Sequence, residues 1–320
     1  MRTTDRFRLV FVGVVAGALG LALLLMLPRL ERGDPAPELP PATAPPRPEP
    51  AASASAPAEP APPAYVHVDA ASGTVCAPGM VLVDGVYCPS VAHQCVSFAD
   101  ETLDVCQKYG EDVVCEGALQ HRRFCIDVFE YPNVPRVTPV VMVSWNEARR
   151  ACGVEGKRLC TVEEWEFACE GPQMWPYPYG TERDPTACNI DKPHPSPEPA
   201  ALGDPWRVSD EVARLDQRVI SGELRRCVSP FGVHDMTGNV DEWVENPAGS
   251  REEKPFRSTL KGGSSGPGRA RCRPVNTTHE EVYASYEVGF RCCSDARGGQ
   301  PATKLAPGPP VRRKRRMDQP

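Results

Sequence analysis

The chain has 320 residues and a formal net charge of −6, a charge balance that excludes the basic surface expected of a nucleic-acid binder. Its 37 prolines, many of them in Ala-Pro runs, remove a large part of the length from any packed core, so we expect one globular domain over 66–295. So many cysteines, 14, would be prone to oxidation in the cytosol, whereas outside it they form disulfide cross-links, so we expect an extracytoplasmic domain. Their even number permits complete pairing.

An uncharged apolar run at 9–27 follows a short N-terminal segment that contains three arginines. A helix of about 19 residues spans roughly 29 Å, close to the hydrocarbon core of a bilayer. A cleaved signal peptide is the alternative, but its apolar core is usually shorter, and no convincing cleavage site follows Leu27. We therefore predict a single-pass membrane anchor, with residues 1–8 in the cytoplasm and the domain on the extracytoplasmic side.

Two segments lack the large apolar side chains that a core requires. Residues 28–65 are Pro/Ala-rich and predict a disordered linker, whose polyproline II character would let the domain lie up to roughly 90 Å from the membrane. A ligand for a proline-binding partner is the alternative for this segment. Residues 294–320 predict a disordered tail, which ends in five basic residues, Arg312 to Arg316, and could contact anionic surfaces.

The globular part opens with a cysteine-rich segment, 66–138. Met80–Val83 and Val86–Tyr87 predict two short strands about an Asp84-Gly85 turn. Two cysteines flank this hairpin and could close it: Cys76 and Cys88. The next four lie in polar, turn-rich sequence, which indicates an insertion held by disulfides: Cys95, Cys106, Cys115 and Cys125. His93 beside Cys95 suggests a metal site, but without a second histidine at ligand spacing a disulfide is favoured.

The second part of the domain, 139–293, begins with an apolar, β-branched run at Val140–Val143 that predicts a buried strand. Two capping boxes follow, Ser144 with Glu147 and Thr161 with Glu164, and each predicts the start of a short helix. The helical spacing then directs Cys152 and Cys169 to the interior, together with the two tryptophans, Trp145 and Trp165. Beyond Gly171 we expect little regular structure as far as Cys227.

Carboxylates and glycines are densest in the turn at 230–245. Gly232 and Gly238 allow the backbone to turn, and four side chains crowd oxygen atoms into this stretch: Asp235, Asn239, Asp241 and Glu242. A hard cation such as Ca²⁺ would relieve their mutual repulsion. A solvated acidic turn is the alternative, and in both cases Trp243 is predicted to anchor the turn to the core.

Several motifs follow one another in the second part of the domain: VSWNEA at 143–148, GKRL at 156–159, EEWEFA at 163–168, GV at 232–233, GN at 238–239, EW at 242–243, KGGS at 261–264 and GFR at 289–291. This succession resembles the formylglycine-generating enzyme, or sulfatase-modifying factor, family over 139–292. The resemblance implies an α+β fold with little regular secondary structure, related to C-type lectin domains. In the cysteine-rich segment only 79–83 matches, and weakly.

The resemblance also implies site residues. A family calcium site corresponds to the side chains of Asp235 and Glu242 and the carbonyls of Gly238 and Val240. A second one corresponds to two neighbouring residues, Asn189 and the Ile190 carbonyl, with an acidic ligand not identifiable among Asp204, Asp210 and Asp216. Two family disulfides correspond to Cys152–Cys292 and Cys169–Cys272.

The sequence departs from the oxidase members of the family, which bind copper through two cysteines after the GGS turn. Here the interval 265–271 contains no cysteine, and Cu(I) selects thiolates, so we expect no copper. Cys160 and Cys293 are the candidates for a displaced pair, with an additional structural disulfide as the favoured alternative. Six scattered histidines likewise argue against an iron-dependent member of the family.

We therefore expect a calcium-stabilised domain that binds a peptide, a protein or a glycan. Its ligand groove is predicted at 264–273, where Arg269, Arg271 and Arg273 would favour an acidic peptide or an anionic glycan, and at the aromatic segment 175–179. The alternative is an oxidase that converts a cysteine of a client protein to formylglycine.

Overall fold

In the computed structural model, which describes residues 75–102, 104–247, 256–298 and 312–313, strands from both ends of the domain pair in one sheet. This antiparallel sheet has the order β1 (Met80–Tyr87), β6 (Gln120–Asp127), β12 (Cys292–Asp295) and β7 (Arg158–Leu159). The described residues all belong to the second of two units, Pro63–Pro320. The predicted anchor and linker lie outside the described residues, within which no helix could cross a membrane.

A second four-stranded sheet carries the turn at 230–245. Its strands, in order, are β10 (Val275–Asn276), β9 (Ser258–Lys261), β8 (Asp241–Glu245) and β11 (Val288–Phe290), with β11 parallel to β8 and the other pairs antiparallel. Two smaller sheets complete the described strands: β3 (Cys95–Asp100) with β4 (Val105–Tyr109), and β13 (Arg312–Arg313), β5 (Val113–Cys115) and β2 (Val91–Ala92) in that order. Residues 312–313 of the predicted tail lie in this last sheet, whereas 299–311 and 314–320 lie outside the described residues.

The four helices within the described residues are short, and the first two begin at the predicted capping boxes. Helix α1 (Trp145–Val154) follows Ser144 and α2 (Val162–Glu170) follows Thr161, and both reciprocal capping hydrogen bonds form at each. The remaining two, α3 (Pro199–Leu202) and α4 (Val208–Leu215), lie in the segment expected to have little regular structure. Local hydrogen bonding therefore accounts for where the first two helices start.

The predicted hairpin about Asp84-Gly85 is wrong, because β1 runs without interruption through both residues. All eight residues of β1 pair with β6, and Asp84 and Gly85 lie opposite Arg123 and Arg122. The Asp84 carboxylate accepts a hydrogen bond from Arg123 at 3.1 Å. A full-length partner strand satisfies the backbone groups that a turn would have left to solvent, and so overrides the turn preference of this dipeptide.

The predicted strand at Val140–Val143 is also wrong, since these residues belong to none of the strands that the structure describes. Met142 has a φ of 58°, which interrupts any extended run. Val140 and Met142 are each 38% exposed, and only Val143 is buried. Their amides bond separately, from Val140 to the Tyr131 carbonyl and from Met142 to the Ser285 carbonyl, so that the segment bridges two loops.

All 14 cysteines are joined in seven disulfides. Cys152–Cys292 and Cys169–Cys272 are the two pairs that the resemblance implies. The proposed closure of Cys76 with Cys88 is wrong, because Cys76 pairs with Cys125 and Cys88 with Cys115. The others are Cys95–Cys106, Cys160–Cys293 and Cys188–Cys227. The cysteine-rich segment is therefore not wholly a turn-rich insertion, because two of its strands, β1 and β6, share a sheet with β12 and β7.

Three tryptophans are buried in the core, and each indole N–H has a partner. Trp145 donates to the Val244 carbonyl at 3.0 Å, Trp243 to the Val143 carbonyl at 2.9 Å, and Trp165 to the Glu242 carboxylate at 2.8 Å. Buried indoles require such partners. The first bond links α1 to β8, the second links β8 to the residue just before the α1 cap, and the third links α2 to the acidic turn, which places the candidate site directly on the core.

Candidate functional site

The acidic turn is shaped by three residues with left-handed backbone: Asp235 (φ 58°), Gly238 (79°) and Asn239 (61°). A Cβ atom at Gly238 would lie 2.3 Å from the carbonyl oxygen of Asn189, so a side chain has no room there. The Asn239 amide donates to the same carbonyl at 3.0 Å. This close approach brings the predicted calcium residues Asn189 and Ile190 against the turn that contains the other predicted ligands.

Glu242 is fully buried and already has strong hydrogen-bond donors. Arg291 donates to both of its oxygens, at 2.7 Å to Oε2 and 2.6 Å to Oε1, and Trp165 adds a third bond to Oε2. Both ionic partners are 1% exposed. A bidentate pair of this kind stabilises the carboxylate without a metal, so Glu242 is less available as a ligand than the sequence suggests.

Asp235 is buried with fewer partners. Its Oδ2 accepts from the Gly222 amide at 2.8 Å. Burial raises the pKa of the Asp235 carboxyl to about 6, although the Gly222 hydrogen bond and the Arg291 charge act in the opposite direction. A positive charge beside this group would restore its ionised form.

Glu130 is a buried carboxylate that the sequence analysis missed. It is 0% exposed, and burial raises its pKa well above the ordinary value, with the charges of Asp235 and Glu242 acting in the same direction. Glu130 lies three residues after the end of β6, outside any periodic pattern. It is also about 100 residues from the turn at 230–245, so the sequence does not show that it meets the carboxylates of that turn. Three carboxylates thus surround a single guanidinium, that of Arg291.

Two buried oxygens in this cluster have no hydrogen-bond partner: Glu130 Oε1 and Asn189 Oδ1. Both side chains are joined through Asn239, which donates to Glu130 Oε2 at 2.7 Å and accepts from Asn189 Nδ2 at 3.0 Å. Unpaired buried acceptors are costly. In the part of the chain that the structure describes, however, no three His, Cys, Asp or Glu side chains are arranged to hold a metal ion, so that any cation here would also need carbonyl or water ligands.

The three arginines predicted to line a ligand groove are each held by the protein itself. Arg269 pairs with the buried Asp241, Arg271 with the Tyr109 hydroxyl, and Arg273 with both oxygens of Glu170. Arg273 also donates to the carbonyls of Cys88 and Pro89, at 2.7 and 3.2 Å. Two of the three cations are therefore paired with carboxylates distant in sequence, and Arg271 contacts a neutral phenol, so these side chains are less available to an anionic ligand than the sequence suggests.

The predicted aromatic ligand segment, 175–179, is also largely internal. Tyr177 is 0% exposed, donates to the Cys106 carbonyl at 3.0 Å and stacks on Tyr179, with 5.5 Å between ring centroids. It packs the cysteine-rich segment against the rest of the domain.

A small pocket lies instead beside the GGS turn, lined by His194, Pro195, Leu215, Gln217, Arg218, Asn239, Ser265, Tyr286 and Glu287. Its polar groups are connected: Ser264 Oγ donates to Glu287 at 2.9 Å, His194 Nδ1 lies 3.3 Å from the same oxygen, and the Tyr286 hydroxyl is 3.1 Å from His194 Nε2. Since Ser264 is bonded to the carboxylate, this geometry does not provide a serine activated by histidine.

Cys160 and Cys293, the candidates for a displaced copper pair, form a disulfide in which both residues are 0% exposed. Neither provides a thiolate in this state. This bond is the structural alternative favoured from the sequence.

The sheets, the disulfides and the acidic turn define a disulfide-rich α+β domain of the C-type-lectin-like class, with few helices and much irregular structure. Residues 105–296 match the sulfatase-modifying factor enzyme 1-like domain family, and the chain belongs to this family. The match starts well before 139, where the motif resemblance begins, and so includes part of the cysteine-rich segment.

Among relatives, the Bos taurus protein named inactive C-alpha-formylglycine-generating enzyme 2 is 32% identical over 179 residues, which are 52% of this chain and 53% of that protein. The Mus musculus formylglycine-generating enzyme is 29% identical over 182 residues, 49% of this chain and 44% of that protein. The chain thus spans about half the length of these relatives. The solved structure of PvdO from Pseudomonas aeruginosa matches 69% of this chain and 97% of its own, at 17% identity and a TM-score of 0.45.

Proposed function

We propose that this chain is a non-catalytic binding domain of the sulfatase-modifying factor family, stabilised by calcium and held at a membrane by its N-terminal segment. The observation that carries the first part is the state of the cysteines. All 14 are joined in disulfides, and the interval 265–271, where oxidase members have their copper ligands, contains none. Tight Cu(I) binding needs nearby thiolates. The name of the Bos taurus relative, an inactive enzyme, agrees with this proposal.

The rival function is a formylglycine-generating oxidase, as the name of the mouse relative describes. The discriminating experiment incubates the purified full chain with Cu(I) and a cysteine-containing peptide, and measures retained copper and oxygen consumption. We expect no tightly held copper and no turnover, whereas the mouse enzyme treated in parallel should show both. About one retained copper per chain, with peptide-dependent oxygen consumption, would refute the binding-domain proposal, and Cys160 and Cys293 would then be replaced first.

The ligand face that we propose is the pocket beside the GGS turn and not the arginine side chains. Its exposed groups include His194, which is 42% exposed, and Glu287, which is 29% exposed. An imidazole, a carboxylate, an amide and a phenol in one concave site suit the hydroxyl and amide groups of a peptide or a glycan. Binding to immobilised peptides and glycans should be lost in His194→Ala and Gln217→Ala and retained in Arg207→Ala, on the exposed turn before α4. Equal binding by all three would exclude this face.

We also propose that calcium binds at the acidic turn through Asp235 and the carbonyls of Gly238 and Val240. The excess of carboxylates over guanidinium and the unpaired oxygens of Glu130 and Asn189 support a hard cation at this place. Glu242 would contribute mainly by orienting Arg291. The ion would act structurally, by neutralising buried carboxylates.

Calcium binding is tested by thermal unfolding in 1 mM Ca²⁺ and in chelator. If the dissociation constant is about 10 µM, saturation adds about 2.7 kcal/mol and raises the Tm by roughly 5 to 10 °C. Asp235→Asn should abolish this shift, whereas Asp104→Asn on the exposed β3–β4 turn should retain it. Identical calcium shifts in both variants would remove the site from this turn.

The membrane attachment proposed for 9–27 places the domain in an oxidising compartment, which agrees with its seven disulfides. The full chain should remain in the membrane pellet after alkaline carbonate extraction, and protease added outside sealed cells or spheroplasts should reach the domain. A matched chain with three leucines of 9–27 replaced by arginine should be released. Recovery of the unaltered chain in the soluble fraction would refute the anchor.

A further inference from the structure

Strand β5 (Val113–Cys115) has a partner on each side. β2 (Val91–Ala92) pairs with one edge, and residues 312–313 at the C-terminus pair antiparallel with the other, Arg312 opposite Val114 and Arg313 opposite Val113. Without these two residues the outer edge of β5 would present unpaired backbone groups, which is a template for strand addition.

The edge of β5 is held in place independently of the tail. Cys115 is bonded to Cys88, and both Val113 and Cys115 are 3% exposed in a cluster with Met174. Just after the strand, the amide of Glu116 donates to the Ser90 carbonyl at 2.8 Å. The strand is therefore preformed, which lowers the entropy cost of adding a further strand.

The charges on both sides of this pairing are complementary. Glu111, Asp112 and Glu116 flank β5 and are exposed, whereas 312–316 are five consecutive basic residues. We propose that the outer edge of β5 is a docking site for a basic, extended segment and that the chain's own C-terminal residues 312–316 occupy it. Asp112 and Glu111 directly precede the two residues of β5 that pair with 312–313, so a basic segment added at this edge would meet their carboxylates.

The connection permits docking within one chain. About 13 residues separate Gly298 from Arg312, and an extended segment of that length reaches up to roughly 45 Å. A short tether of this kind gives an effective concentration on the order of 1 mM. The docked tail therefore closes the edge to other strands, and a partner with a basic extended segment would have to displace it. This proposal does not depend on the ligand of the pocket or on calcium.

The test compares the full chain in detergent with a chain that ends at Leu305, using a fluorescent peptide of residues 309–318 as the probe. We expect the shortened chain to bind the peptide saturably and more weakly as salt increases. The full chain should bind it at least about tenfold more weakly, because its own tail competes. A peptide with serine in place of all five basic residues should bind to neither chain.

Charge reversal locates the site. In the shortened chain, Glu111→Lys with Asp112→Lys should weaken peptide binding about tenfold, while the matched pair Glu101→Lys with Asp104→Lys, on the β3–β4 turn, should change it less than twofold. Amide exchange at 113–115 should be slower in the full chain. Equal peptide affinities of the two chain lengths, or equal effects of the two charge reversals, would overturn the proposal. A tail-dependent dimer in light scattering would overturn docking within one chain.

Discussion

At the residue scale, the interior of this domain contains charged side chains that are compensated by specific partners. Arg291 is paired with Glu242, Lys261 with Glu166 at 2.8 Å, and Lys157 with Asp127 at 2.8 Å. Removing one member of such a pair leaves the other buried and unpaired, which costs more free energy than the pair itself contributes. The candidate calcium site shares this network through Glu242, so its chemistry and the stability of the domain cannot be altered separately there.

We expect Glu242→Gln to lower the free energy of unfolding by about 3 to 5 kcal/mol, because Arg291 would lose its only bidentate carboxylate partner among the described contacts. Urea unfolding monitored by tryptophan fluorescence measures the change. Glu198→Gln, which removes the exposed partner of Arg207, is the matched control and should cost at most about 0.5 kcal/mol. Similar costs in the two variants would contradict the role of burial.

His234 should make stability depend on pH. It stacks on Phe129, with 5.1 Å between ring centroids, and burial, assisted by the Arg291 charge, lowers its pKa from 6.5 to about 4. Between these values the unfolded chain binds more protons, so this group's contribution is complete above pH 6.5 and is lost as the pH falls to about 4. The loss should be about 2 to 3 kcal/mol.

Urea unfolding at pH 7.0 and 4.5 tests this dependence. His234→Phe, which keeps the aromatic stack, should reduce the difference between the two pH values by about 2 kcal/mol. Ser97→Ala, which changes no titratable group and lies on the exposed part of β3, should leave the difference as in the unaltered chain. A pH difference that is unchanged in His234→Phe would show that other groups cause it.

At the element scale, the first two helices are specified by their own sequences and the strands by their partners. The capping bonds at Ser144 and Thr161 join residues three positions apart, so they can form in each helix by itself. β1 and β8 instead receive their hydrogen bonds from strands far away in the chain, as β8 does from β9 and β11. The cap of a short helix is therefore the feature whose contribution to stability a single substitution can best measure.

Thr161→Ala should lower the free energy of unfolding by about 1 kcal/mol, because the amide of Glu164 loses its acceptor at the start of α2. Thr161→Ser keeps the acceptor and should restore most of the stability. Thr102→Ala, at an exposed threonine in the β3–β4 turn, should have an effect below about 0.3 kcal/mol. The comparison is made by chemical unfolding at pH 7, and an equal loss in the alanine and serine variants would exclude the cap as the cause.

At the scale of the whole molecule, disulfides close the largest loops. Cys152–Cys292, Cys160–Cys293 and Cys169–Cys272 span 140, 133 and 103 residues. The loops overlap in the chain, so each disulfide shortens the path that another has to close. With Cys152–Cys292 in place, Cys160–Cys293 closes a loop of only about 10 residues, and its entropic contribution should be about 3 kcal/mol instead of the roughly 5 that its full separation would give.

Replacing Cys160 and Cys293 by alanine should therefore cost more when Cys152–Cys292 is also absent. In that background the shortest path from Cys160 to Cys293 runs through the Cys169–Cys272 disulfide and contains about 30 residues. The entropic contribution of Cys160–Cys293 then rises to about 4 kcal/mol. A double-mutant cycle of unfolding free energies should show a coupling of about 1 kcal/mol. Denaturing alkylation without reductant is the control and should label no cysteine in the unaltered chain. Equal costs in both backgrounds would contradict the argument from overlapping loops.

The sequence by itself determined the helix starts, the family, and the proximity of the oxygen-bearing residues in the turn at 230–245. These features depend on contacts between residues a few positions apart, or on motifs whose order is visible in the chain. It also marked Cys152 and Cys169 as inward-facing, since the periodicity of a helix is a local property.

Only the tertiary structure decided which carboxylates meet at Arg291, why β1 continues through Asp84-Gly85, and which carboxylates neutralise the charges of Arg269 and Arg273. Glu130 and Asp235 are more than 100 positions apart, and Arg273 and Glu170 are 103 apart. No local pattern encodes such pairs, because burial and the position of a distant strand set the free energy of each contact. The same long-range packing that hides them from the sequence makes the buried charges costly to remove.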